Sequence, residues 1–171
     1  AGLYAIGARL IKSPLQIVGN SISQVYISEF GRRLEGELHE LSILFRKTVI
    51  ALFLIATIPL ITIAYFAPLA FAMIFGDDWR TAGEFTRVLS PMYLAQFIVS
   101  PVSQTLNALE RQSLHMSITF FQTFFVLLVF SSPLVFNVTP HFVLALYSMV
   151  MVLTYMIILA QSHSAIRQRE A

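Results

Sequence analysis

The sequence TVIALFLIATIPLITIAYFAPLAFAMIFG, residues 48–76, contains 29 consecutive residues without a charged side chain. A helix of about 20 apolar residues is long enough to cross the hydrocarbon core of a bilayer. Two further uncharged runs lie downstream, 22 residues at 88–109 and 55 residues at 112–166 when histidine is counted as neutral. The three runs predict a protein that crosses a membrane several times.

The composition of the whole chain supports the same class of protein. Hydrophobic residues make up 57% and charged residues 12%, whereas soluble domains average roughly 45–50% and about 25%. Backbone groups inside a bilayer must pair within the protein, and the long runs lack the ~10-residue alternating segments of a barrel. We therefore predict an all-α fold, a polytopic transmembrane bundle of about five helices. The absence of cysteine excludes disulfides, and a net charge of +2 gives no reason to expect nucleic acid as a partner.

The predicted bundle is a single transmembrane region whose spans are separated by polar or proline-containing turns. Pro68 ends the second span because proline interrupts a helix, so residues 68–75 are expected to form an interfacial turn. In GDDWR, residues 76–80, Gly76 breaks the helical pattern and Trp79 suits the headgroup region. The spans cover about 3–27, 46–67, 88–109, 113–135 and 142–163, and residues 164–171 form a short tail.

Lysine and arginine in the short loops predict the orientation of the bundle. One set of helix ends, which includes the C-terminus, carries seven basic residues, whereas the other carries Arg80 and Arg87. We therefore predict a multi-pass protein with a cytoplasmic C-terminus and with GDDWR outside. Because the chain starts with Ala1 inside a helical pattern, we also expect it to be the C-terminal part of a larger protein. The seven basic residues are Arg32, Arg33, Arg46, Lys47, Arg111, Arg167 and Arg169.

The first span carries a row of polar side chains that a lipid-facing helix has no reason to keep. At 100° per residue these side chains fall within about a third of the helix circumference. A cation near a helix centre costs about 2.5–3.5 kcal/mol on insertion scales, so such residues are functional candidates by default. We predict that the row lines a water-filled cavity. Two alternatives stay open, in which Arg9 and Lys12 snorkel to the surface or the segment lies flat as an amphipathic helix. The row comprises Arg9, Lys12, Ser13, Gln16, Asn20, Ser23 and Gln24.

Two other spans carry shorter polar rows. In the third span, cavity lining and helix packing through small polar residues explain the row equally well. In the fourth span, packing is the favoured interpretation. The predicted spans contain no Asp or Glu and the four histidines lack metal-ligand spacing, so we expect a non-enzymatic protein without a metal or other cofactor. The third-span row is Tyr93, Gln96, Ser100, Ser103, Gln104 and Asn107, and the fourth-span row is His115, Thr119 and Gln122.

Four stretches of the chain carry a resemblance to a known family. They are GLYAIGARLIKSPLQIVGNSISQV at 2–25, EFGRRLEGEL at 29–38, IFGDDWRTAGE at 74–84 and SPVSQTLNALERQ at 100–112. Together they resemble the C-terminal part of bacterial polysaccharide-export flippases. These are the oligosaccharide or O-antigen flippases of the multidrug/oligosaccharidyl-lipid/polysaccharide exporter superfamily.

The resemblance implies about twelve helices in two lobes around a central cavity, of which this chain supplies roughly helices eight to twelve. It implies flipping of an undecaprenyl-pyrophosphate-linked oligosaccharide across the bacterial inner membrane, for surface polysaccharides such as lipopolysaccharide. The implied partners are the pyrophosphate headgroup of that lipid, the bilayer and the missing N-terminal lobe. Arg9 sits where a related lipid flippase has a cavity arginine, whereas Lys12 rests on the polar row alone. The candidate substrate-binding residues are Arg9, Lys12, Gln16, Asn20, Gln24, Gln96, Gln104 and Asn107.

Three alternative functions stay open at this point. A multidrug or small-cation exporter of the same superfamily usually needs an intramembrane carboxylate, which the predicted spans lack. A membrane-embedded polysaccharide polymerase or glycosyltransferase should carry a large loop with grouped Arg, His or Asp, whereas the loops here are short and mixed in charge. In a membrane scaffold subunit, the polar row would be only a seam against a partner helix.

Overall fold

The computed structural model describes the backbone of residues 2–36 and 38–170, and the side chains of residues 16–34, 36, 39–133 and 136–170. Over these residues the chain forms five α-helices, and a single 3-10 turn precedes each of the second and third. The predicted all-α fold is therefore confirmed. The helices are α1 Gly2–Gly36, α2 Leu41–Phe75, α3 Arg80–Ala108, α4 Gln112–Val135 and α5 Pro140–Glu170.

Among the described residues, three helices are long and apolar enough to cross a membrane by length and composition. They are α2, the Gln112–Pro133 part of α4, and α5. By this composition the chain is a multi-pass membrane protein. The helices α1 and α3 carry the two long polar rows, and membrane spans at 3–27 and 88–109 stay predictions.

The helix α3 is the centre of the bundle. It packs against α1, α2 and α5, while α4 packs mainly against α5. Leu89, Val99, Val102 and Leu106 of α3 are almost completely buried in these contacts. Three helices therefore surround α3, which is one of the two helices that carry a long polar row.

The basic helix ends predicted to share one side of the membrane lie together. Arg111, just before α4, donates from Nη2 to Oε1 of Gln168 near the end of α5 at 2.5 Å. The backbone N–H of Ser42, at the start of α2, donates to Oε1 of Glu170 at 2.8 Å. We call this the basic end. At the opposite end, Nε2 of His141 at the start of α5 lies 3.2 Å from Oε2 of Glu84 near the start of α3.

The expected interfacial turn at residues 68–75 is wrong, because α2 continues as a helix through Pro68 to Phe75. Proline lacks an N–H and leaves the carbonyl four residues earlier without its helical donor. Here that carbonyl belongs to Ala64, and Nε of Arg87 in α3 donates to it at 3.1 Å. The helix ends at Gly76 instead, where φ is +97°.

Two further prolines lie inside helices directly after a serine that replaces the missing donor. Ser90 Oγ donates at 2.8 Å to the carbonyl of Arg87, four residues before Pro91. Ser132 Oγ donates at 2.7 Å to the carbonyl of Val129, four residues before Pro133. Helices of membrane proteins tolerate proline when such groups satisfy the freed carbonyl.

Broad apolar faces remain exposed on the outside of the bundle. No residue of α4 between 112 and 133 is buried, and large side chains such as Phe121 and Leu128 are more than half exposed. The helix α2 exposes a similar face, whereas α5 lies between α3 and α4 and buries one side. Of the two C-terminal helices, α4 is therefore more exposed than α5. Exposed apolar faces of this size are typical of a membrane interface.

Candidate functional site

Two contacts fix how α1 and α3 lie against each other. Tyr26 of α1 and Thr105 of α3 share a buried hydrogen bond of 2.7 Å between their hydroxyl oxygens. Ser23 Oγ donates to the carbonyl of Pro101 at 3.4 Å. These contacts bring the polar faces of the two helices to the same surface of the bundle.

The two long polar rows form one groove between α1 and α3, which we call the polar groove. Its narrow part has a volume of about 80 Å³ and its wider part about 450 Å³. Asn20 lines both parts, so they are adjacent. The narrow part is lined by Gln16, Gly19, Asn20, Tyr93, Gln96, Phe97 and Ser100, and the wider part by Asn20, Ser23, Gln24, Ile27, Gln104, Asn107 and Ala108.

Six of the eight candidate substrate-binding residues therefore meet in the polar groove: Gln16, Asn20, Gln24, Gln96, Gln104 and Asn107. Sequence reasoning placed them on two separate helices and did not bring the rows together. It also missed Gly19, Phe97, Ile27 and Ala108 as lining residues. Their three- or four-residue spacing from Gln16, Gln24, Ser100 or Gln104 is the signal that could have found them.

The other two candidates, Arg9 and Lys12, have side chains outside the described residues. Their backbone belongs to α1. A cationic end to the polar groove therefore stays a prediction from the sequence.

The polar groove offers neutral hydrogen-bonding groups. Nδ2 of Asn107 donates to Oε1 of Gln104 at 2.8 Å. A primary amide has two N–H donors and two acceptor lone pairs, so this bond leaves each side chain with groups for a ligand. Among the described residues that line the groove, none carries a charge. The groove is therefore suited to a hydroxyl-rich, uncharged part of a ligand.

A second groove lies between α3 and α4 and has a volume of about 700 Å³. Two members of the predicted fourth-span row, His115 and Thr119, line it. The third, Gln122, points to α5 instead, and its Nε2 lies 2.9 Å from Sδ of Met151. The packing interpretation is thus confirmed for Gln122. The groove is lined by Asn107, Gln112, His115, Met116, Thr119, Phe120 and Thr123.

Charged groups appear where α1 reaches the basic end. Glu29 accepts hydrogen bonds from Arg32 at 2.8 and 3.2 Å and from Arg33 at 2.9 Å. These bonds to Arg32 and Arg33 lower the pKa of Glu29 to about 2. The carboxylate is therefore ionised at any physiological pH.

The fold and the groove define a class: a multi-pass helical membrane protein with a neutral polar groove between α1 and α3. The comparison with protein families gives the particular family, because residues 1–84 match the family described as "Polysaccharide biosynthesis protein". This segment contains α1, α2 and the start of α3, and over it the chain is similar to that family. The match confirms the resemblance to polysaccharide-export proteins. No curated protein and no solved structure matches the chain.

Proposed function

We propose that the chain is part of a flippase that moves an undecaprenyl-pyrophosphate-linked oligosaccharide across the bacterial inner membrane. The product would supply surface polysaccharide such as the O-antigen of lipopolysaccharide. The observation that carries the proposal is the polar groove between α1 and α3, in a chain whose α1 and α2 match a polysaccharide biosynthesis family.

The residues have separate roles in this proposal. Arg9 and Lys12 bind the pyrophosphate, because a guanidinium can hold a phosphate through two parallel hydrogen bonds and an ammonium adds positive charge. The amides of the polar groove, such as Asn20 and Gln104, donate to and accept from sugar hydroxyls. A ligand with an anionic head and a neutral polyhydroxyl chain needs both kinds of group.

Transport then follows an alternating-access scheme. This chain forms part of one lobe, the second lobe closes the polar groove from the opposite side, and the two rock about the bound headgroup. The polyprenyl tail stays in the bilayer between the lobes. The prolines inside α2, α3 and α4 let those helices bend during the movement. The C-terminus is cytoplasmic, since the basic end carries most of the arginines.

The alternatives have less support. A small-cation exporter needs a carboxylate in its cavity, and none lines the polar groove among the described residues. A polymerase needs grouped catalytic side chains on a long loop, and the described connections between helices are short.

The proposal is tested in the full-length protein with the double variant Arg9→Gln, Lys12→Gln. We expect surface polysaccharide to fall at least about tenfold at matched protein amount, since each lost charge–phosphate interaction is worth more than about 1 kcal/mol. Arg80→Gln is the matched control, because Arg80 is an exposed arginine that does not line the polar groove. Unchanged export in the double variant would remove these cations from the mechanism.

A further inference from the structure

Two glycines occupy buried positions inside helices but have opposite surroundings. At Gly83 of α3, an added Cβ would lie 2.4 Å from Cα of Pro68 in α2, so this glycine permits close packing of two helices. Gly19 of α1 is also buried. Among the described residues, however, nothing outside its own stretch of helix lies within 4 Å of its Cβ position. Close packing therefore explains Gly83 and does not explain Gly19.

The open space beside Gly19 is the narrow part of the polar groove. Gly19 lines this volume of about 80 Å³ together with Phe97 and with amide side chains from both helices. Those amides belong to Gln16, Asn20 and Gln96, and none of the three forms a side-chain hydrogen bond to another described residue. A roomy space with available donors and acceptors holds water or a polar ligand rather than staying empty.

The local structure gives no other reason for a glycine at position 19. Glycine destabilises the interior of a helix relative to alanine, because it loses more backbone freedom on folding. No steric contact requires it at this position. A larger side chain here would extend into the narrow part of the groove and reduce its volume. What glycine provides is therefore the space itself.

The narrow part is the portion of the polar groove closest to Arg9 and Lys12 along α1. Gln16 follows Lys12 by about 6 Å along the helix axis, and Gly19 follows it by about 10 Å. A sugar attached directly to a diphosphate held by these cations would therefore lie beside Gly19. None of the described residues that line the narrow part is charged, so an uncharged sugar suits it best.

From these observations we propose that Gly19 determines the specificity of the polar groove, because it keeps the narrow part open for the first sugar after the diphosphate. That sugar is uncharged, and the size of the side chain at position 19 limits whether it is accepted. The inference rests on the proposed function and deepens it. It assigns the first sugar to one part of the groove and the diphosphate to another.

The test compares two probes that differ in one neutral sugar: geranylgeranyl diphosphate, and the same lipid diphosphate carrying one glucose. Binding of each probe is measured to the purified full-length protein in nanodiscs of phosphatidylcholine. We expect Gly19→Leu to weaken binding of the glucosylated probe at least about tenfold, because the new side chain fills the space for the sugar. Binding of the bare diphosphate should change less than about twofold. Gly19→Ala should give an intermediate loss, since a methyl group fills less of the space.

Gly31→Leu is the matched control. Gly31 lies on the same helix and its Cβ position is also open, but it does not line the polar groove. Leucine forms helices better than glycine, so both leucine variants should keep or raise the unfolding temperature of the wild type. A loss of binding in Gly19→Leu then comes from the filled groove and not from a damaged fold.

Equal weakening of both probes by Gly19→Leu would overturn the role of Gly19. A lower unfolding temperature for Gly19→Ala than for the wild type would also overturn it, because position 19 would then be packed. If Gly19→Leu binds both probes normally while the Arg9→Gln, Lys12→Gln variant loses both, the inference is wrong and the proposed function stands. If the wild-type protein binds neither probe, both proposals fail together.

Discussion

The guanidinium of Arg87 in α3 donates to the carbonyl oxygen of Ala64 in α2 at 3.1 Å, and from Nη2 to that of Tyr65 at the same distance. Ala64 is the residue whose helical donor is removed by Pro68. One side chain on a neighbouring helix therefore replaces a backbone hydrogen bond and keeps α2 continuous. The same contact joins the two helices close to the end opposite the basic end.

We predict that Arg87→Gln lowers the free energy of unfolding by about 1 kcal/mol, since an arginine–carbonyl contact is lost and the Ala64 carbonyl is left without its donor. Pro68→Ala restores the backbone N–H, so in that background the loss should be less than half as large. Unfolding of the wild type, the two single variants and the double variant in detergent measures the coupling between Arg87 and Pro68. Equal losses with and without Pro68 would show that Arg87 acts independently of the proline.

Gly83 permits the close approach of α3 to α2 beside that contact. A Cβ built on Gly83 would lie 2.4 Å from Cα of Pro68 and 2.5 Å from the carbonyl oxygen of Ala67. Backbone atoms cannot move aside as a flexible side chain can, so we predict that Gly83→Ala lowers stability by about 1–3 kcal/mol. Gly31→Ala is the control, because nothing lies within 4 Å of its Cβ position. That variant should be neutral or stabilising by up to about 1 kcal/mol, and similar losses in both would contradict the helix contact.

The buried hydrogen bond between Tyr26 and Thr105 sets how α1 and α3 lie against each other at the polar groove. Substitutions of these two residues should therefore be energetically coupled. We expect Tyr26→Phe to lower stability by about 1 kcal/mol because the Thr105 hydroxyl loses its partner. Thr105→Val should lower stability less in the Tyr26→Phe background than in the wild-type protein. We expect a coupling of at least about 0.5 kcal/mol in the double-mutant cycle. Thr154→Val, which removes a hydroxyl bonded within its own helix to Val150, is the control. Additive losses would mean that the bond contributes nothing.

Helical periodicity was sufficient to predict both long polar rows, because a period of 3.6 residues is visible in one segment at a time. It could not predict that the rows face each other. That relation depends on the register between α1 and α3, which Tyr26 and Thr105 fix through a contact between distant parts of the chain.

The C-terminal end of α2 also could not be predicted from local sequence. Proline is the strongest local signal for a helix end, and at Pro68 the signal was misleading because the compensating donor is Arg87, on another helix. The serines before Pro91 and Pro133 are different, since their compensation is local and readable in the sequence. Local rules therefore fail here where a tertiary contact replaces a backbone group.

Glu29 makes the stability of the basic end depend on pH. Hydrogen bonds from Arg32 and Arg33 lower its pKa from 4.5 to about 2. A lowered pKa in the folded state means that the contribution is fully present above about pH 4.5 and is lost as the pH falls toward 2. We expect the stability difference between wild type and Glu29→Gln to shrink between about pH 5 and pH 2.5. A difference that stays constant over this range in detergent unfolding would contradict the ion pair.

Water in the polar groove is the condition on which the flippase mechanism depends. A thiol reacts as the thiolate, so a cysteine facing water reacts with an impermeant methanethiosulfonate reagent far faster than one facing hydrocarbon. In membranes containing the full-length protein, we expect Asn20→Cys and Gln104→Cys to react at least about tenfold faster than Phe121→Cys. Phe121 is the informative control because it is 61% exposed but lies on the apolar face of α4. Slow labelling at both groove positions would show that the groove is dry, and the polar rows would then be a packing seam rather than a path for a sugar.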